Sequence, residues 1–188
     1  MRAQTSQPVH EIIATRRSPR SLDGTAKIEE ADLLAVLEAG RWAPSANNGQ
    51  PWRFIVARPG DESFEKMMET LNPTNASWAK NSLAFIFTLG KTTNQNGEPY
   101  ADYQFDCGLA VAQMSFEIHH RGFVAHQMAG YDKVKAREAF EIPAELVPLV
   151  IVAIGKQDSP EKLEGALFER ETAARVRKPM DELVISGI

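Results

Sequence analysis

The sequence predicts a mixed α/β or α+β sandwich, in which helices and strands alternate around one sheet. The 188 residues are 43% hydrophobic and 24% charged, which suits one globular domain with a sizeable core. Apolar runs of strand length alternate with segments whose apolar residues recur at helical spacing. No internal repeat or low-complexity run interrupts this order. Together these observations predict layers of helices packed on a sheet.

The first half of the chain contains two segments with clear local signals. The helix that begins near Glu29 carries acidic residues in its first turn, where they suit the helix dipole. The run Leu83–Leu89 is almost continuously apolar, which is typical of a strand buried on both faces. The predicted elements are helices over Pro8–Thr15, Glu29–Arg41 and Asp61–Leu71, strands over Trp52–Ala57 and Leu83–Leu89, and an exposed loop over Lys91–Pro99.

The second half contains the longest predicted helix, Tyr103–His120. Gly108 and Ala112 lie four residues apart and give this helix a side of small residues. Val147–Ile154 is the clearest strand, because it is apolar apart from Pro148 near its start. The remaining predictions are a strand over Val124–Met128, helices over Asp132–Phe140 and Lys162–Arg175, and an extended tail over Pro179–Ile188.

The tail is apolar although it is terminal, since it carries Met180, Leu183, Val184 and Ile185. An apolar terminal segment has to bury itself. It would either wrap a partner subunit or add an edge strand to its own sheet. The pattern favours neither alternative.

Charge and cysteine content exclude several classes of protein. The net charge of -4 argues against a nucleic-acid partner, so an anion site has to come from local clustering of the 21 Lys and Arg. Cys107 is the only cysteine, which excludes an intramolecular disulfide and fits a reducing compartment. Met1–Glu11 lacks the apolar core of a signal peptide, and no run is long enough to span a bilayer. We therefore expect a soluble, cytoplasmic protein with no membrane partner.

Two basic clusters stand at opposite ends of the chain. Guanidiniums match phosphate oxygens in a two-pronged way, so each cluster is a candidate anion site. The alternative is that each is a solvated run of cations, which at a helix C-terminus also suits the dipole. The first cluster holds Arg16, Arg17, Ser18 and Arg20, and the second Arg175, Arg177 and Lys178. They gain meaning only if the fold brings them together.

A loop rich in amides follows the second helix. Between Pro44 and Pro51 the sequence is Ser-Ala-Asn-Asn-Gly-Gln, which offers donors and acceptors between two stiffening prolines. That inventory suits a heterocycle whose edge alternates carbonyl and N–H groups. The alternative is a plain turn with Asn and Gly in left-handed conformations. We refer to residues 45–50 as the amide loop.

The sequence offers little support for other kinds of catalytic site. The four histidines are His10, His119, His120 and His126, and their spacing is not that of metal ligands. His119 and His120 are adjacent on a predicted helix, so their side chains point apart. Cys107 lies among apolar residues, which predicts a packing role. No nucleophile elbow, phosphate loop or dinucleotide fingerprint occurs. We therefore expect no metal and no catalytic side chain, with a cofactor performing the reaction.

Five ordered blocks resemble the nitroreductase family of flavin enzymes, from Ile12 to about Val184. The most specific is Ala43–Phe54, which is similar to the family's Ala-Pro-Ser-x-x-Asn-x-Gln-Pro-Trp-x-Phe. The others are Ala14–Arg20, Asp106–Ala110 followed by Gln113, Met128–Asp132 and Arg177–Met180. The resemblance implies an α+β fold: a three-layer α/β/α sandwich with a mixed, mainly antiparallel sheet, forming a dimer of single domains over residues 1–188.

The resemblance also implies FMN as the cofactor and assigns residues to it. The phosphate would be held by Arg16, Arg17, Ser18, Arg20, Arg175 and Arg177. The ribityl chain and ring would meet Pro44, Ser45, Ala46, Asn48 and Gln50, contributed in family members by the opposite subunit. The turn Gln127, Met128, Ala129 and Gly130 would lie against the ring, with the Ala129 or Gly130 N–H near N5.

The activity that the resemblance implies is ping-pong electron transfer from NADH or NADPH, through flavin N5, to a small acceptor such as a nitroaromatic or a quinone. The protein would be a homodimer whose tail, residues 179–188, wraps the partner subunit. The alternative is a flavin-binding sensor or storage module without turnover. Two positions depart from the family pattern, because Gln127 and Ala129 stand where many relatives have a proline or an acid. The region from Leu71 to Tyr103 is also short, so the size and identity of the acceptor are not predicted.

Overall fold

The computed structural model describes residues 2–187, with seven helices and four strands in that part of the chain. Short 3-10 turns occur at Ala46–Asn48, Pro160–Lys162 and Met180–Glu182. The helices are α1 (Glu11–Thr15), α2 (Glu30–Arg41), α3 (Glu62–Thr70), α4 (Pro73–Ala79), α5 (Tyr103–His120), α6 (Lys133–Ala139) and α7 (Gly165–Thr172). The strands are β1 (Trp52–Ala57), β2 (Ala84–Lys91), β3 (Val124–Met128) and β4 (Leu146–Gly155).

The four strands form one sheet in the order β1-β2-β4-β3, and each of its pairings is antiparallel within the described residues. Phe87 at the centre of β2 pairs with Ile55 on one side and Ile151 on the other. The β2–β4 register shifts between Thr88 and Leu89, where Leu89 faces Pro148. Such an irregularity lets a proline, which has no N–H for the ladder, sit inside a central strand.

Helices cover both faces of the sheet, as the predicted three-layer sandwich requires. On β2, Phe85 and Phe87 point into a core shared with α3, α4 and α6. Ala84 and Ile86 point to the opposite face, into a core shared with α2 and α5. This two-sided burial explains why the sequence of β2 is apolar at nearly every position.

The sequence reasoning missed one element and misjudged another. It missed α4, which begins at Pro73 after Asn72, whose side chain accepts a hydrogen bond from the Asn75 N–H. An Asn before a Pro is a recognised start signal, so the information was present. The predicted helix Lys162–Arg175 is shorter in the structure, because a 3-10 turn follows Pro160 and Gly165 takes a left-handed φ of 53°.

The tail differs from the predicted extended segment. It contains the 3-10 turn Met180–Glu182 and no strand over residues 179–187, which rules out an edge strand on its own sheet in that part. Met180 is 60% exposed and Ile185 fully exposed. The chain therefore does not bury its own apolar tail; Ile188 lies outside the described residues.

Candidate functional site

The basic segment Arg16–Arg20 follows α1 and is tied to the C-terminal part of the chain. Arg175 donates from its two terminal nitrogens to the Ala14 and Arg16 carbonyls, each at 2.8 Å. Arg17 donates to the Glu171 carbonyl at 2.5 Å. These bonds bring the two predicted basic clusters together, although about 150 residues separate them in the sequence.

The charges of the two clusters interact directly. Burial lowers the pKa of Arg16, and the positive charge of Arg177 lowers it further. The pKa of Arg175 is lowered by burial and then by Arg16, Arg177 and Arg17. Guanidiniums that depress one another's pKa create a surplus of positive potential, which favours an anion.

The arginines differ in what their side chains already bind. Arg17 and Arg175 donate to backbone carbonyls of the protein itself. Arg16 makes a long hydrogen bond to Ser18 Oγ, at 3.4 Å, and Arg177 donates to the carbonyl of the adjacent Val176. Arg16 and Arg177 therefore keep most of their donors available for a ligand.

A buried carboxylate, which the sequence reasoning did not single out, organises this region. Glu171 is 2% exposed and accepts the Arg20 backbone N–H at 2.9 Å through Oε2. Its Oε1 lies 3.8 Å from the Arg17 guanidinium. Nothing in the local pattern around Glu171 indicates this role, because its partners are more than 150 residues away.

A cavity of about 340 Å³ lies beside the basic segment. Arg16 and Ser18 form one end, Gln127 on β3 forms a wall, and α5 forms the floor. The floor residues are Gly108, Val111, Ala112, Ser115 and Phe116. The structure thus places three of the predicted ligands, Arg16, Ser18 and Gln127, around one space.

The turn after β3 holds the remaining predicted ring contacts. Met128 is buried in the core, so only its backbone can reach a ligand, whereas Ala129 is exposed. The Gly130 carbonyl accepts the Asn72 N–H at 3.0 Å and Asn75 Nδ2 at 3.1 Å. These two residues from the start of α4 were missed by the sequence reasoning, and they fix the orientation of the turn.

The amide loop has an unusual backbone. Asn47, Asn48 and Gln50 have positive φ values of 50°, 55° and 46°, whereas Gly49 is right-handed at -69°. The plain-turn alternative expected Asn and Gly in left-handed conformations, which is right for Asn47 and Asn48 and wrong for Gly49. Left-handed conformations at three non-glycine residues cost free energy and are typical of functional loops.

The side chains of Tyr100 and Asp106 hold the amide loop in this shape. Asp106, 2% exposed on α5, accepts the Ala46 N–H at 3.1 Å and also accepts the Tyr100 hydroxyl. Burial and the bond to Asp106 raise the pKa of Tyr100 to about 12, so its hydroxyl keeps its proton. A Cβ at Gly49 would lie 2.6 Å from that hydroxyl, which explains why this position is a glycine.

The amide loop also makes a bond within itself, since the Gln50 N–H donates to Ser45 Oγ at 3.1 Å. Pro44 and Asn48 are exposed.

A second cavity, of about 550 Å³, lies between the amide loop and the loop around residues 94–102. Its lining includes Ala46, Asn47 and Gly49 but none of the residues around the first cavity. Within one chain, the structure therefore does not join the amide loop to the basic segment. It presents two separate cavities, and Ala46 lines the second, whereas Ser45, Asn48 and Gln50 are not among its lining residues.

Other kinds of reactive centre find no support in the described part of the chain. Burial raises the pKa of the Cys107 thiol to about 12, with a further contribution from the Asp106 charge, so the thiol is not an activated nucleophile. Among residues 2–187, no three His, Cys, Asp or Glu side chains group in a way that could hold a metal. None of the described helices is long and apolar enough to cross a membrane.

Comparison with known proteins identifies the family. The model of the nitroreductase family matches residues 13–84. An Archaeoglobus fulgidus protein, provisionally named NADH dehydrogenase/NAD(P)H nitroreductase, is 31% identical over 148 residues, which are 77% of this chain and 82% of that protein. A Bacillus subtilis protein, YdgI, provisionally named NAD(P)H nitroreductase, is 26% identical over 78% of this chain and 87% of its own length.

Solved structures support the same family. A structure described as an oxidoreductase containing FMN superposes with a TM-score of 0.91 and 34% identity, over 99% of this chain and 95% of that one. A nitroreductase from Exiguobacterium sibiricum, solved with FMN, shares the fold at a TM-score of 0.77 and 22% identity, over 98% of this chain and 100% of that one. The chain belongs to the nitroreductase family.

Proposed function

We propose that this chain is an FMN-dependent oxidoreductase that passes electrons from NADH or NADPH to a small electrophilic acceptor, such as a nitroaromatic or a quinone. The observation that carries the proposal is the closeness of the Arg177 charge to Arg16, which lines one cavity together with Ser18, while both guanidiniums keep donors available. Relatives named as NAD(P)H nitroreductases and an FMN-containing structure at 34% identity support the same assignment.

The donors fit the phosphate of FMN. A phosphate dianion offers several acceptor oxygens, and charge-assisted bonds from guanidiniums are the strongest hydrogen bonds that proteins make to it. Burial and then mutual repulsion lower the pKa values of Arg16 and Arg175, and a bound dianion would offset the repulsion. We assign Arg16, Ser18, Arg20 and Arg177 to the phosphate.

Arg17 and Arg175 receive a different role from the one that the resemblance implies. Their guanidiniums bind the carbonyls of Glu171, Ala14 and Arg16. We propose that both are positioning residues, which hold the N-terminal and C-terminal segments side by side so that Arg16 and Arg177 face the same anion.

The amide loop completes the site from a second copy of the chain. Within one chain, the basic segment and the amide loop lie at two separate cavities. In addition, α5 has an apolar face on which Phe105 is 70% exposed and Gly108 has open space around it. A homodimer that covers this face and the apolar tail from Pro179 onward would bring the amide loop of one subunit to the phosphate end of the other.

When bound, the flavin supplies the redox chemistry, accepting a hydride equivalent from the nicotinamide and passing electrons to the acceptor in alternating half-reactions. The chain's own residues hold and orient it. The Ala129–Gly130 backbone, fixed by Asn72 and Asn75, would donate a hydrogen bond near N5 and stabilise negative charge there. We also propose a cytoplasmic location, because a single buried cysteine, Cys107, fits a reducing compartment.

Substitution of the arginines tests the phosphate assignment. Each charge-assisted contact contributes about 1.5 to 3 kcal/mol, or roughly tenfold to a hundredfold in affinity. We expect Arg16→Ala and Arg177→Ala to lose most of the bound FMN during purification. Arg58→Ala, which removes a half-buried guanidinium outside both clusters, should keep it. Equal FMN content in all three variants would refute the assignment.

A further inference from the structure

A chain of hydrogen bonds runs along the wall of the first cavity. Arg16 donates to Ser18 Oγ at 3.4 Å, and Ser18 donates to Gln127 Oε1 at 3.3 Å. Gln127 Nε2 donates to Ser115 Oγ at 2.6 Å, and Ser115 donates to the Val111 carbonyl at 2.7 Å. All five residues line the cavity.

The direction of the chain follows from the number of hydrogens available. The single hydroxyl hydrogen of Ser115 is used on the Val111 carbonyl, one turn earlier in α5. Ser115 Oγ can therefore only accept from Gln127, and the group that donates to it has to be the amide nitrogen. The carboxamide oxygen of Gln127 must then face Ser18.

Ser115 favours this orientation because its hydroxyl hydrogen is already bonded to the Val111 carbonyl. Its side chain is 4% exposed, so it cannot exchange the amide for bulk water. A flipped Gln127 would require the Ser115 hydroxyl to leave the Val111 carbonyl and turn towards the amide oxygen, so the flip loses one hydrogen bond of this chain. Ser115 was not among the residues that the sequence analysis assigned to the site.

We propose that Ser115 is a positioning residue that makes the Gln127 wall of the cavity a hydrogen-bond acceptor next to its cationic end. A ligand that matches this order carries a phosphate for Arg16 and, along the same chain, a hydroxyl that donates to Gln127 Oε1. That ligand is a phosphorylated polyol. The inference rests on the proposed function, because the ribityl phosphate of FMN has this chemistry: the Ser18 hydroxyl turns to the phosphate, and a ribityl hydroxyl takes its place on Gln127. The Gln127 side chain thereby contacts the polyol, and not the ring against which the resemblance places it.

Three flavins separate the contribution of the polyol from that of the phosphate. Flavin-depleted protein is titrated with FMN, with riboflavin, which lacks the phosphate, and with lumiflavin, which lacks the whole polyol. We expect Ser115→Ala to weaken FMN and riboflavin by the same factor of about tenfold, the value of one hydrogen bond. Lumiflavin affinity should not change. Arg16→Ala should instead weaken FMN alone.

Two further variants guard against a merely structural effect. Ser115→Thr keeps the hydroxyl and should restore riboflavin affinity. Gln127→Leu should reproduce the loss, and the double variant with Ser115→Ala should be no weaker than either single one, because both remove the same interaction. An equal loss for lumiflavin, or no loss for riboflavin, would overturn the proposal. If wild-type protein binds none of the three flavins, it is the proposed function that fails.

Discussion

Glu171 shows how one buried side chain arranges a site made of repelling charges. Its carboxylate contacts the Arg20 backbone and lies 3.8 Å from the Arg17 guanidinium. Oε1 has no hydrogen-bond partner within the described residues, so this carboxylate is only partly satisfied. A buried negative charge tolerates that because the surrounding guanidiniums stabilise it. In return it offsets part of their repulsion, since burial lowers the pKa of Arg20 but the charge of Glu171 raises it, against the lowering effects of Arg170 and Arg17.

His126 connects the basic segment to the sheet and gives the protein a specific pH dependence. It packs against Trp78, with ring centroids 4.6 Å apart, and its Nδ1 lies 3.1 Å from the Pro19 carbonyl. Burial lowers the pKa of His126 to about 4, against the opposing effect of that carbonyl. The folded protein therefore keeps His126 neutral at pH values where the unfolded chain protonates it.

The resulting loss of stability appears as the pH falls from about 6.5 to about 4. The stability that the neutral His126 contributes is fully present above the unfolded pKa of about 6.5. Because the folded pKa is about 4, about 2 kcal/mol of the free energy of unfolding is lost between pH 7 and pH 4.5. Urea unfolding at both pH values should show this extra loss in the wild type and not in His126→Gln. His120→Gln, an exposed control, should behave as the wild type does. An equal loss of unfolding free energy between the two pH values in all three proteins would contradict the lowered pKa of His126.

At the scale of elements, periodicity and length predicted most of the fold. The predicted bounds of β1, α5 and β3 agree with the structure, because each has a clear run of apolar residues at the matching period. The helix α4 is only seven residues long and buries only Trp78 and Ala79, so periodicity had little to detect. Helix α7 starts later than predicted because the 3-10 turn Pro160–Lys162 and the extended Leu163 precede it, and it ends earlier because Ala173 leaves the helical conformation with a ψ of 145°.

The turn after β3 depends on a close approach that can be tested by adding one carbon. A Cβ at Gly130 would lie 2.2 Å from Asn72 Nδ2, and Asn72 can move only by giving up its cap of α4. We expect Gly130→Ala to lower the free energy of unfolding by about 1 to 3 kcal/mol, as overpacking does. Gly24→Ala, whose Cβ would make an ordinary contact at 3.4 Å, is the control and should be nearly neutral. Similar stability of the two variants would show that the turn is not tightly held.

At the scale of the whole molecule, the residue pattern could propose candidate site residues, but only the family resemblance implied that the two basic clusters meet. The two basic clusters meet because the segment after α7 returns to the first helix, where Arg175 binds the Ala14 and Arg16 carbonyls. That contact depends on the tertiary path and leaves no local pattern. Likewise, no local pattern separates the amide loop from the arginines; their separation within one chain was implied only by the resemblance, which assigns the loop to the opposite subunit.

Truncation after Pro179 tests whether the tail joins two subunits. The removed segment includes Met180, Leu183 and Ile185, which are 57% to 100% exposed in a single chain, so its loss costs that chain little core. We expect light scattering to show a shift from dimer to monomer, with FMN content falling in parallel because each site needs both subunits. Replacing the three apolar residues by serine keeps the chain length and should give the same result. A truncated monomer that retains stoichiometric FMN would contradict the shared site.

The central claim, that the chain is a flavin oxidoreductase, is tested most directly by the visible spectrum of the purified protein in the absence of oxygen. The account predicts a yellow protein with flavin absorption that bleaches when NADH or NADPH is added and returns when a quinone or nitroaromatic follows. A spectrum that keeps its flavin bands in the presence of both nicotinamides would indicate a binding module without turnover. A protein that neither carries FMN nor takes it up would contradict the claim itself.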